Sequence, residues 1–174
     1  MRRRPALFAS IAALFAAPAT NFASGEKTVM DDAHQLLAIV DRLVEARPLT
    51  AAATGRLVGA NLSPVGDQST ERKLVYATQG TTDFDRVELR LPGPKSTNSG
   101  QFLMLEVNAR RCVQMAIVQA RYGQPELSVP TPRQPVDAPV YLKFQREWGT
   151  LSFGFARSGA ECLRTVVVDV APAK

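Results

Sequence analysis

The chain has 174 residues, 45% hydrophobic and 21% charged, with 21 basic and 16 acidic side chains and a formal net charge of +5. Three of the basic residues are Arg2 to Arg4, so a chain cut after Ala19 keeps eighteen basic against sixteen acidic residues, a balance of +2. The high isoelectric point is therefore no sign of a nucleic-acid partner. One histidine and two cysteines are too few for a His/Cys metal centre, and no cofactor is expected.

A basic start, the apolar run Ala6 to Ala16 and the small residues Ala17-Pro18-Ala19 have the form of a signal peptide over residues 1–19, with Ala23-Ser24-Gly25 as a later cut site. The run is short of the about 20 apolar residues that span a bilayer, so no stable membrane insertion is expected. The expected location is the periplasm or the exterior. Residues 20–30 read as a flexible tail and 31–174 as a single α+β domain, the size one core supports.

A first helix is expected from Asp31-Asp32 to about Ala46, with Ala33, Leu36, Leu37, Val40, Leu43 and Val44 on one face and Pro48 as its stop. Strands follow near 56–62, 71–78, 84–92 and 101–107, separated by Pro/Gly breaks. In the third, Val87, Leu89 and Leu91 alternate with Arg86, Glu88 and Arg90, the mark of a strand with one wet face.

Asn108 to Gly123 reads as a second helix, with Asn108 as N-cap, Cys112 on the apolar face and Gly123 as the stop. Five prolines between Pro125 and Pro139 impose an extended connection. A hairpin turning at Trp148-Gly149 is expected to set Phe144 opposite Phe153 and Leu142 opposite Phe155. The last strand, Cys162 to Val170, leaves Arg164 on the inward face with Val166, Val168 and Val170 unless a bulge near Gly159 shifts the register.

The order of elements predicts an α+β fold of antiparallel sheet with two main amphipathic helices, arranged as two α/β halves in tandem. In layout it is similar to small tandem α/β periplasmic inhibitors of the β-lactamase-inhibitor kind and to BamE-like envelope proteins, the latter echoed by Tyr122-Gly123-Gln124-Pro125 after the helix.

An even cysteine count in an exported chain points to a Cys112–Cys162 disulfide, and a nucleophilic Cys112 would need a base where the only histidine, His34, belongs to another helix. Asp31, Asp32 and His34 read as helix-start residues and not as metal ligands. Asp83, Asp85 and Glu88 are the acids that a cell-wall hydrolase, the third functional reading, would use. No nucleophile elbow, phosphate loop or dinucleotide fingerprint is present.

Two features break local rules. Arg110 and Arg111 place cations in the first turn of the expected helix, against its dipole, and the lone Trp148 stands at a hairpin tip beside Gly149. Together with Pro130, Pro132 and Arg133 of the proline loop, these residues form the expected contact surface for a protein partner. The sequence-level reading is an exported inhibitor or immunity-type protein acting on a secreted or envelope enzyme, with an envelope assembly accessory as the alternative.

Overall fold

A computed structural model describes residues 23–128, 138–157 and 162–172. Pro130, Pro132, Arg133 and residues 1–22, with the expected signal peptide, lie outside the described residues. The α+β class holds, with three helices rather than two and one eight-stranded antiparallel sheet among the described residues.

Helix α1, Ala23–Glu45, buries Ala33, Leu36, Leu37, Val40 and Leu43 at the expected three- and four-residue spacing. It begins eight residues before Asp31, inside the stretch read as a tail, where Glu26, Lys27 and Met30 are good helix formers and no proline interrupts.

The expected strand at 56–62 is instead helix α2, Ala51–Val58. Its N-cap Thr50 accepts a 3.1 Å hydrogen bond from the Ala53 amide, three alanines fill the first turn, and Gly59 ends it at φ 73°. Gly55 has no room for a side chain, since a Cβ there would lie 2.5 Å from the Ala60 carbonyl oxygen.

A meander follows: β1 (Ser63–Pro64), β2 (Lys73–Gln79), β3 (Phe84–Pro92) and β4 (Gln101–Val107). After helix α3 (Met115–Tyr122), a second meander runs through β5 (Glu126–Ser128), β6 (Val140–Arg146), β7 (Gly149–Phe155) and β8 (Leu163–Val170). The sheet order β1-β2-β3-β4-β8-β7-β6-β5 joins the two meanders through antiparallel β4 and β8. The two expected halves are thus mirrored in topology, each a helical segment followed by four strands.

Helix α3 is half the length expected. Its N-cap is Gln114, not Asn108, and Gly123 is its C-cap as expected. Residues before it run alongside the start of β8: the Leu163 amide donates to the Val113 carbonyl at 2.9 Å and Gln114 bridges Cys162. The disulfide closes the same contact, with the Cα atoms of Cys112 and Cys162 4.8 Å apart. Cys112 therefore sits ahead of the helix, on a strap across the end of the sheet.

Two one-residue bulges keep the faces of the sheet consistent. Asp85 has no partner where the β3–β4 register shifts between Phe84 and Arg86, and Arg164 has none where Phe155 pairs with Leu163 and Gly154 with Thr165. Each bulge returns a large apolar side chain, Phe84 or Leu163, to the face that the helices cover. The misfit at Arg164 is resolved by a bulge at Arg164 itself, which leaves its side chain exposed.

The hairpin register also differs from expectation. Phe144 faces Leu151, Leu142 faces Phe153 and Val140 faces Phe155, so the turn is Glu147-Trp148. A slip of two residues keeps every side chain on its expected face, which is why alternation alone did not fix it.

Candidate functional site

The core takes one face of the sheet only. Val87, Leu89, Leu103, Leu105, Val166, Val168, Leu151, Phe153, Leu142 and Phe144 pack with the buried residues of the helices, and none of the alternate strand residues belongs to that cluster. The opposite face is a broad surface whose rows follow from the registers. Its central row runs Ala77, Glu88, Met104, Val167, Ser152, Lys143 from β2 to β6. The next row toward the Gln101 end is Val75, Arg90, Phe102, Asp169, Thr150, Gln145.

At its middle, Met104 and Val167 are adjacent and half-buried, with Glu88 and Ser152 on either side. Glu88 is 2% exposed. A buried carboxylate must be paired, and both oxygens are: Arg86 Nη2 donates to one and Arg90 Nε to the other, each at 2.6 Å. The two-residue period of the strand puts Arg86, Glu88 and Arg90 on this face, so the clamp follows from local sequence. The Arg90 guanidinium carbon lies 4.9 Å from the centroid of the Phe102 ring. Arg86 and Arg90 stay 36% and 44% exposed, fixed but reachable.

On β6 and β7, Tyr141 covers Gly154 directly opposite it; a Cβ on Gly154 would meet the ring at 2.8 Å. Burial raises the Tyr141 phenol above its ordinary pKa.

The residues singled out in the sequence are not brought together. Trp148 and Gly149 adjoin Val170 at the Gln101 end of β4, whereas Arg110 and Arg111 follow its Val107 end, about 20 Å away by strand rise. Trp148 does not project: it is half-buried, packs on the core, and carries the Arg47 guanidinium 3.9 Å from its ring centroid. Desolvation lowers the Arg47 pKa, and its Nη1 is buried without a hydrogen-bond partner. Gly149, at φ 141°, is required by close approach, because a Cβ would lie 2.0 Å from the Asp169 carbonyl oxygen.

Arg111 pairs with Asp32 at 2.6 Å and Asp83 at 3.1 Å, tying α1 to the β2–β3 turn. Since α3 starts at Met115, neither arginine lies in its first turn and the dipole conflict disappears. Arg110 is exposed beside Asp32, Thr81 and Asn108. Of the three acids, Asp83 is held by Arg111, Asp85 is the exposed bulge residue, and Glu88 is clamped, so no facing pair forms among them. His34 is exposed. Among the described residues no group of three His, Cys, Asp or Glu is placed to hold a metal ion, and no helix is long and apolar enough to cross a membrane.

The open face was not singled out in the sequence, yet a signal exists. In Gln101-Phe-Leu-Met-Leu-Glu-Val107 both alternating sets are apolar at the strand centre, Leu103 and Leu105 on one side and Phe102 and Met104 on the other, which a strand with one solvent face does not need. No family model, curated protein or solved structure matches this chain.

Proposed function

We propose that the chain is an exported protein-binding module of the inhibitor or immunity type, and that it docks its partner on the open face of the sheet. The observation that carries this reading is the combination of Met104, Val167, Phe102 and Tyr141 half-buried on a face outside the core, with Arg86 and Arg90 fixed among them. Aromatic residues, methionine and arginine are the types enriched in protein interfaces. The Glu88 clamp has already restricted both arginines, which lowers the entropy lost when they meet a partner's carboxylates. The disulfide is compatible with a location outside the cytoplasm, and the leader-like start supports export.

The test is affinity capture from the envelope with three versions of the exported chain: wild type, Met104→Arg with Val167→Arg, and Arg42→Glu with Arg56→Glu on the exposed helix surface. The same protein should be retained by the wild type and the helix variant and lost from the face variant, with unchanged melting. Retention by the face variant contradicts the reading.

A further inference from the structure

An open cavity of about 290 Å³ lies where β2 begins and β3, β4 and β8 reach the Gln101 end of the sheet. Its lining holds charges of both signs. Arg72 precedes β2, Lys73 begins it, Arg90 comes from β3 and Asp169 from β8. Arg90, Phe102 and Asp169 are direct neighbours across β3, β4 and β8, so the aromatic ring stands between the arginine and the aspartate. Two strand spacings, about 10 Å, separate the outer Cα atoms.

These charges do not neutralise one another. Among the described residues neither Arg72, Lys73 nor Asp169 makes an ion pair, and Arg90 commits Nε to Glu88 while its guanidinium rests on Phe102. Phe102 and Pro172 supply the apolar contacts, since Leu91 and Val170 turn to the other face and pack with the core. Cations on one side and a carboxylate on the other, without ion-pair partners among the described residues, and an aromatic ring between them complement a molecule with the same three parts. The volume is at the small end of ligand sites.

We propose that this cleft binds an α-amino carboxylate with an apolar side chain, a free amino acid in the simplest case. The carboxylate faces Arg72, Lys73 and Arg90, the ammonium faces Asp169, and the side chain lies along Phe102 and Pro172. This site is separate in its requirements from protein docking on the central row, although Arg90 and Phe102 serve both surfaces.

The test is an amide NMR titration of the leaderless, disulfide-bonded chain with L-leucine up to about 10 mM, the range of weak small-ligand binding. Parallel titrations use isocaproate, which lacks the amine, and isoamylamine, which lacks the carboxylate. Saturable shifts are expected at Lys73, Phe102 and Asp169 with leucine, and each truncated analogue should bind about tenfold more weakly. Asp169→Asn should weaken leucine by a similar factor while leaving isocaproate unchanged, and Arg72→Gln with Lys73→Gln should weaken leucine and isocaproate together. All three side chains are exposed, so amide spectra away from the cleft report that the variants still fold. Absence of saturable shifts with leucine, or equal binding of the three probes, overturns the proposal; neither result touches partner docking, which is read by the capture experiment.

Discussion

The Arg47 guanidinium lies over the Trp148 ring, 3.9 Å from its centroid, and so ties the α1–α2 connection to the β6–β7 turn. The same connection is held from the other side by Gln101, whose amide exchanges two hydrogen bonds with Leu49, at 2.7 and 3.0 Å. Trp148 thereby works as a packing residue. Trp148→Ala is expected to lower unfolding stability by about 2 kcal/mol, below the range for fully buried aromatics because the ring is half-exposed. Arg47→Leu should change stability by less than about 1 kcal/mol, since it removes a cation–π contact and also the buried Nη1 that lacks an acceptor. Urea denaturation of both variants checks this.

Reducing the Cys112–Cys162 disulfide releases a loop with a sequence separation of 50 residues. Loop entropy predicts a loss of about 4 kcal/mol. Replacement of both cysteines by alanine should give a similar loss in urea denaturation. A loss under about 1 kcal/mol would mean that the backbone pairing of Val113 and Gln114 with the start of β8 holds the strap unaided.

Much of this fold is legible in the sequence. The strands at 84–92 and 101–107 were expected at the observed positions, because a two-residue alternation and Pro/Gly breaks leave little freedom in their placement. Helix α2 was hidden because Leu57 and Val58 suggest a strand, whereas the Thr50 cap and the alanines decide the matter. Helix α3 was overextended because the apolar spacing continues through Cys112, and only the long-range pairing with Cys162 shows that this segment is extended. The open face was half legible: Phe102 and Met104 mark β4 as apolar on both sides, but which side the helices cover depends on tertiary packing.

Glu88 shares its two oxygens between Arg86 and Arg90 and is nearly inaccessible. Glu88→Gln removes the charge and keeps the shape. Because both guanidiniums can rehydrate, the cost should be about 1–2 kcal/mol, less than for a fully buried pair. The same variant should weaken partner binding by freeing the arginines, a loss that Glu88→Asp partly restores.

Tyr122 donates from Oη to Asp41 at 2.7 Å, and Asp41 also pairs with Arg121. Burial first, and the Asp41 hydrogen bond second, raise the phenol pKa far above its ordinary value near 10. A raised folded pKa means that this stabilisation is complete below about pH 10 and is lost as the pH climbs toward the folded value. At neutral pH Tyr122→Phe should cost about 1 kcal/mol. Above about pH 10 the wild type should lose stability relative to Tyr122→Phe by up to about 1.4 kcal/mol per pH unit, so the two curves converge. Parallel curves through that range would show that Tyr122 is not the titrating group.

Site-specific photo-crosslinking in the intact envelope reads directly whether a protein partner lies on the open sheet face. A photoreactive residue at Met104 should give a discrete adduct with one protein, and the same residue at Arg42, on the exposed surface of α1, should not. An adduct with that protein from position 42 and none from position 104 would place the interface on the helical side and contradict the account.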